Sequence, residues 1–81
     1  MYMTWNYRII HHDKGGHSYF AIHEVFYDDH GKVTNWTADP IYVSGENKLE
    51  VNRTLEQMLE DTSKTDVLLE SELEESVHGI I

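Results

Sequence analysis

Histidines near the start of the chain are the side chains whose spacing comes nearest to a chemical site. Five of the six histidines fall within residues 11–30. Imidazole nitrogens bind zinc, nickel and copper, so a hairpin that gathered His11, His12 and His17 would make a metal site. Adjacent strand residues project to opposite faces, however, and such a site needs three or four converging ligands. A small-ligand or metal-binding protein that uses these three residues and His23 is therefore an alternative hypothesis.

The sequence does not indicate a catalytic site. His23 and Glu24 are neighbours in a predicted strand and point away from each other. No Ser-His-Asp or Cys-His arrangement accompanies a nucleophile signature, and the chain contains no cysteine. We predict that the protein is not an enzyme and requires no cofactor.

Aromatic and acidic side chains occupy different halves of the chain. All nine aromatic residues lie within residues 2–42, whereas ten of the fifteen carboxylates lie within residues 46–75. Residues 1–43 carry three basic and five acidic side chains, and residues 44–81 carry three and ten, within a net charge of −9. Such a molecule repels nucleic acids and anionic lipid surfaces, and it attracts a basic protein.

The aromatic half has the composition of a β-sheet. Two β-branched and aromatic runs, residues 4–12 and 18–28, flank the turn-forming residues 13–16 and predict a β-hairpin. A second turn at residues 28–31 precedes a third strand at residues 32–38. The predicted first loop pairs Ile9 with Phe20 and Tyr7 with Ile22. The predicted second turn pairs Val25 with Trp36 and Phe26 with Asn35.

The second half has the period of an amphipathic helix. Asn47 and Glu50 have the spacing of a capping box, and they predict a helix from about Lys48 to Asp61. Its apolar stripe comprises Val51, Leu55, Met58, Leu59 and Thr62. We expect this stripe to pack on the sheet face that carries Trp5, Tyr7, Ile9, Phe20, Ile22, Phe26 and Val33.

These elements predict an α+β fold, a three-stranded antiparallel sheet (β-β-β) with one amphipathic helix packed on one face. Residues 1–65 form this domain, and residues 66–81 form an acidic C-terminal segment that is a short helix or a tail. The sequence has no signal-like start and no apolar run of the length needed to span a membrane. We therefore expect a cytoplasmic protein that does not bind membranes.

Several short strings resemble a group of small bacterial and phage proteins that have no assigned activity. The resemblance covers most of residues 4–60 and implies one compact domain. The order of hairpin, third strand, boundary and helix is also similar to that of HicB-like antitoxin domains. The strings are Trp5-Asn6-Tyr7-Arg8-Ile9-Ile10, Ala21-Ile22-His23-Glu24-Val25-Phe26-Tyr27-Asp28, Gly31-Lys32, Trp36-Thr37, Pro40 and Gly45-Glu46.

One helix covers only one side of a sheet, so the opposite Tyr/Trp-rich face must be covered by the C-terminal segment, a second copy or a partner. We therefore predict a non-enzymatic acidic protein-interaction module, antitoxin-like or phage-inhibitor-like, that occludes a basic protein partner and does not bind nucleic acid directly. A structural homodimer that pairs two such faces is the other alternative. The predicted partner-binding residues are Arg8, Tyr19, His23, Tyr27, Trp36, Glu50, Glu56 and Glu60.

Overall fold

The computed structural model describes residues 4–76 and 79–80, and it shows an α+β fold built on a mixed sheet. The elements are β1 (Trp5–Lys14), β2 (His17–Tyr27), β3 (Val33–Trp36), α1 (Lys48–Ser63), β4 (Leu68–Leu69), α2 (Glu70–Ser76) and β5 (Gly79–Ile80). The strands lie in the order β4-β1-β2-β3-β5, with β4 parallel to β1, β5 parallel to β3 and the remaining pairs antiparallel. The three antiparallel strands are present, and each edge of the sheet carries a short parallel strand that the sequence does not predict.

Two consecutive glycines set the register of the first hairpin. Gly15 and Gly16 have φ angles of 64° and 72°, the pair of positive values that a two-residue type I′ turn requires. The loop is therefore two residues long rather than the predicted four, and Ile9 lies opposite Ile22 instead of Phe20. A shift of two residues changes the cross-strand partners but leaves every side chain on its predicted face.

The second turn is one residue longer than the predicted two-residue turn at His30-Gly31, because the Asp28 N–H donates to the Lys32 carbonyl. Asp28 Oδ1 accepts hydrogen bonds from the backbone N–H groups of Lys32 and His30, which lower the pKa of the Asp28 carboxyl group. A register shift between Phe26 and Tyr27 compensates for the longer turn. Tyr27 therefore lies opposite Val33, while Val25 lies opposite Trp36 and Phe26 opposite Asn35, as predicted.

The main apolar core lies on the sheet face opposite to the one predicted. Trp36 and Leu73 are 3% and 5% exposed in this core, whereas Phe20 on the predicted core face is 62% exposed. Val33 joins the core because the register shift in β2 moves it to the face of Tyr27. The core comprises Ile10, Val25, Trp36 and Leu73, with Tyr27, Val33 and Leu68 packed against it.

Residues 66–76 cover this face, and we call them the C-terminal cover. β4 pairs with the outer edge of β1, so α2 begins directly beside the sheet and contacts both strands. Leu68 and Leu73 are the apolar side chains that the cover adds to the core. Arg8 adds a polar tie, because its guanidinium donates to the Asp66 carbonyl at 2.8 Å and to the Tyr27 hydroxyl at 3.0 Å.

Helix α1 begins where the capping residues predict and packs against β1. Asn47 Oδ1 accepts from the backbone N–H of Glu50 at 2.9 Å. The Glu50 carboxylate accepts a hydrogen bond from the backbone N–H of Glu46. In a capping box the donor would be the N–H of the N-cap residue, here Asn47. Of the predicted stripe only Met58 is fully buried. Leu55 and Leu59 are 48% and 69% exposed, so the expected burial of the whole stripe is wrong.

A buried carboxylate joins α1 to the edge of β1. Asp61, 8% exposed, accepts a hydrogen bond from the backbone N–H of Tyr7 at 3.0 Å and one from the Gln57 amide at 2.8 Å. Burial, followed by the charges of Glu24 and Asp61, raises the pKa of the Tyr7 hydroxyl. The carboxylate thus satisfies an edge N–H of β1 that no strand reaches.

Replacing Asp61 with alanine is expected to lower the free energy of unfolding by about 1–3 kcal/mol, because the Tyr7 N–H is left buried without an acceptor. Urea unfolding followed by circular dichroism measures this change. Asp61→Asn keeps one acceptor oxygen and is expected to cost less. Glu60→Ala, at an exposed neighbour, should change stability by no more than about 0.5 kcal/mol. Equal losses in the Asp61 and Glu60 alanine variants would contradict the assigned role.

Candidate functional site

Two features of the molecule can carry function, a buried histidine pair on the covered sheet face and an exposed surface on α1. In the first, the Nε2 atoms of His12 on β1 and His23 on β2 lie 2.8 Å apart. His12 is 6% exposed and His23 is fully buried. The alternation of side chains along each strand places both residues on the core face. Ala21 lies on the same face of β2, between Tyr19 and His23. The small Ala21 side chain leaves room for the two rings to meet.

Each ring is also held at its other nitrogen. His12 Nδ1 lies 2.8 Å from Glu70 Oε2, at the first residue of α2. His23 Nδ1 lies 2.8 Å from the carbonyl oxygen of Thr37, just after β3. The Tyr19 ring stacks on His12 with centroids 4.7 Å apart. The result is a continuous polar chain, from Glu70 through both imidazoles to Thr37, inside an apolar core.

The number of protons in this chain follows from its hydrogen bonds. His23 Nδ1 lies 2.8 Å from the Thr37 carbonyl oxygen, which can only accept, and 3.4 Å from the Thr37 hydroxyl, which can also donate. The shorter contact makes Nδ1 the donor, so Nε2 of His23 is an acceptor when the ring is neutral. His12 must then donate from Nε2. A third proton must then lie between His12 Nδ1 and the Glu70 carboxyl group. If the proton is on His12, an imidazolium pairs with a carboxylate; if it is on Glu70, a neutral carboxylic acid donates to a neutral ring. Burial, the largest influence, lowers the pKa of His23 and keeps that ring neutral.

This chain can hold or pass a proton, and it brings together only two of the histidines of the alternative metal-binding hypothesis, His12 and His23. His11 projects to the opposite face, where it bonds to Ser18 Oγ at 2.7 Å and stacks on Phe20. It therefore cannot converge with His12, as strand alternation requires. Within residues 4–76 and 79–80 there is no group of three or more His, Asp or Glu side chains placed to hold a metal ion.

The predicted partner-binding residues of the sheet do share one face, but that face is covered. His23 and Trp36 are buried, so in this conformation they cannot contact a partner, and their prediction as an exposed surface is corrected. Arg8 and Tyr27 are half-buried and bonded to each other. Tyr19 alone among these five stays substantially open, at 45% exposure. The cause is the C-terminal cover, whose few apolar residues lie within a strongly acidic stretch.

The predicted acidic residues lie exposed on α1, next to exposed leucines. We use the name α1 surface for Leu55, Glu56, Leu59 and Glu60. The two leucines and the two glutamates form adjacent i, i+4 rows, since a helix turns about 100° per residue. Glu60 also pairs with Lys64 at 2.8 Å, which raises the pKa of the lysine. Glu50, the remaining predicted acid, is occupied at the helix start.

Sequence reasoning missed Glu70 and Thr37 as partners of the histidines, and it missed the exposure of the leucines. Once the hairpin register is known, the alternation of side chains along β1 and β2 places His12 and His23 on the same sheet face. No local signal brings Glu70 to them, because the two contacting residues are 58 positions apart.

Comparison with protein-family models, curated protein sequences and solved structures finds no match for this chain. Among the described residues, no helix combines the length and apolar character needed to cross a membrane. Function therefore has to be argued from the side chains themselves.

Proposed function

We propose that the protein is a non-enzymatic interaction module that binds a basic protein partner through the α1 surface. The observation that carries the proposal is the exposure of Leu59 and Leu55, 69% and 48%, immediately beside the row of Glu56 and Glu60. An apolar strip beside two exposed carboxylates, one of which pairs with Lys64, is suited to a helix that docks in a groove of a partner.

The charge of the chain defines the partner. A net charge of −9, concentrated in the half that contains α1, favours a cationic surface and disfavours another acidic one. A second copy of this chain would bring the same acidic rows together, so self-association through the α1 surface is electrostatically opposed. Occlusion of a basic surface, in the manner of an antitoxin or a phage inhibitor, is the corresponding mechanism.

The sheet face that the sequence predicts as the contact surface is not the binding surface of this proposal. The C-terminal cover packs on that face, whereas the α1 surface is exposed and needs no rearrangement before it binds. Phe20, 62% exposed on the sheet face opposite the main core, adds further apolar area elsewhere on the molecule. The acidic residues Glu56 and Glu60 keep the role predicted for them, with the leucines as new apolar anchors.

A synthetic cationic helix tests the proposal directly. Isothermal titration calorimetry with an amphipathic Leu/Lys peptide is expected to show binding that weakens between about 0.05 M and 0.5 M salt. The same peptide with Glu in place of Lys should not bind. Leu59→Ser is expected to weaken binding about tenfold, the loss of about 1.4 kcal/mol that an apolar anchor supplies.

Val67→Ser is the matched control, because Val67 is 44% exposed and lies outside α1. It should bind the cationic peptide as the wild type does. Equal weakening by Leu59→Ser and Val67→Ser, or binding that ignores peptide charge, would refute the proposal. Light scattering completes the test: a dimer that Leu59→Ser converts to a monomer would make the α1 surface a self-association face instead.

A further inference from the structure

We propose that the C-terminal cover is a pH-gated lid, which closes over the sheet face only when the buried histidine pair carries the intermediate number of protons. The proposal goes beyond the partner-binding function and stands on a different part of the molecule. It rests on the chain of contacts from Glu70 through His12 and His23 to Thr37, each 2.8 Å long. Glu70 is the link that belongs to the cover.

Raising the pH removes the proton that the closed chain needs. With Glu70 ionised, two neutral rings supply only two protons for three contacts. One contact then sets lone pair against lone pair, either between the two Nε2 atoms or between His12 Nδ1 and the carboxylate. In the open state neither ring faces this constraint. The closed state therefore binds one proton more than the open state on the alkaline side, and it loses population as pH rises.

Lowering the pH opens the lid for a different reason. A second proton on His23 would place two Nε2–H groups 2.8 Å apart inside the core. Burial lowers the pKa of His23 below its ordinary value of 6.5 while the lid is closed. The open state then binds more protons than the closed state below about pH 6.5. The closed population falls as pH falls, so its pH dependence is a bell.

The groups that face the pair come from every packed element. Glu70 approaches from α2, and the Tyr19 ring stacks on His12 from β2. Asp39, after β3, favours a proton on His23 through its charge. Arg8, the cross-strand partner of His23 on β1, carries a fixed positive charge that is bonded to Tyr27 and to the Asp66 carbonyl. Tyr19, Asp39 and Arg8 do not supply the proton that the contact between Glu70 and His12 requires.

Opening has a chemical consequence. The face beneath the lid carries Trp36, His23, Tyr19 and Tyr27, and it becomes an aromatic surface once Leu73 leaves.

The lid can be followed through Trp36 fluorescence in a Trp5→Phe background, over about pH 4 to 10, the range that spans imidazole titration. Loss of Leu73 contact should shift the emission to the red. The closed-to-open ratio is expected to fall on both sides of a maximum, by about tenfold per pH unit once one linked proton dominates. Hydrogen exchange of the α2 amides should follow the same bell.

Glu70→Gln separates this mechanism from general pH effects. A glutamine amide can donate to His12 Nδ1, so two neutral rings then satisfy all three contacts without an extra proton. The alkaline fall should disappear in this variant, while the acid fall remains. Glu46→Gln removes the same charge at an exposed position before α1 and should keep both falls.

Three results would overturn the proposal. The first is a closed state independent of pH in the wild type, and the second is an alkaline fall that survives Glu70→Gln. The third comes from nitrogen-15 NMR of the wild-type rings, which does not depend on any variant. His23 is expected as the Nδ1–H tautomer with His12 protonated at Nε2, and an Nε2–H tautomer of His23 would exclude the mechanism.

Discussion

Replacing Trp36 with alanine is expected to remove most of the stability of this protein. Trp36 is 3% exposed, packs with Ile10, Val25 and Leu73, and is the largest side chain of that cluster. Truncating a buried tryptophan costs about 3–5 kcal/mol, and a small domain has only about 5–15 kcal/mol to lose. Urea unfolding followed by far-ultraviolet circular dichroism should show a midpoint near zero denaturant or no folded baseline.

The other tryptophan provides the control. Trp5 is 39% exposed on the sheet face opposite the main core and contacts Tyr7 edge to face. Trp5→Ala removes a side chain of the same size, so it should retain a clear unfolding transition. Similar midpoints for both variants would show that the covered face is not the main core. A Trp36→Phe variant should fall between the wild type and Trp36→Ala, because it keeps part of the packed volume.

The elements of the fold were predictable where a local signal determines them. The turn residues 28–31 predicted a second hairpin, in which Val25 pairs with Trp36, and Asn47 predicted the start of α1. The first hairpin was shifted by two residues because Gly15 and Gly16 make a shorter loop than a four-residue turn composition suggests. The α+β fold class was still predicted correctly, since a register shift of two residues leaves every side chain on the same sheet face.

The choice of core face was not predictable from local patterns. Both sheet faces carry apolar and aromatic side chains, so periodicity alone cannot rank them. Leu68 and Leu73 decide the matter, yet they lie in a stretch where acids dominate. The parallel pairing of β4 with Ile10 and His11 brings them to the sheet, and a two-residue strand leaves no sequence signature.

The candidate sites, too, were predictable where they depend on local sequence and unpredictable where they depend on tertiary contacts. The acidic character of α1 was visible in the sequence, and it supports the proposed basic partner. The exposure of Leu55 and Leu59 could not be predicted, because leucines at helical spacing are also the pattern of a buried stripe. The histidine pair depended on tertiary contacts of Glu70 and Thr37, so composition suggested metal ligands where the geometry instead makes a proton chain.

Leu73→Ala is expected to release the C-terminal cover without unfolding the central hairpin. Leu73 is 5% exposed, and its truncation costs about 2–5 kcal/mol of packing. Helix α2 has only seven residues, too few to persist without tertiary contacts. A cost of about 2 kcal/mol corresponds to about a 30-fold loss of hydrogen-exchange protection. We expect this loss in the amides of α2 and β4, with smaller changes across β1 and β2.

Leu69→Ala is the matched control, since Leu69 is 41% exposed in the same segment and its loss should change protection little. The distribution of the effect distinguishes two descriptions of the molecule. Loss confined to α2 and β4 means that the cover opens as a unit, which a pH-gated lid requires. Equal loss throughout β1 and β2 would mean that cover and sheet unfold together. In that case titration of the histidine pair would alter the stability of the whole fold, and the aromatic face would never be presented on a folded sheet.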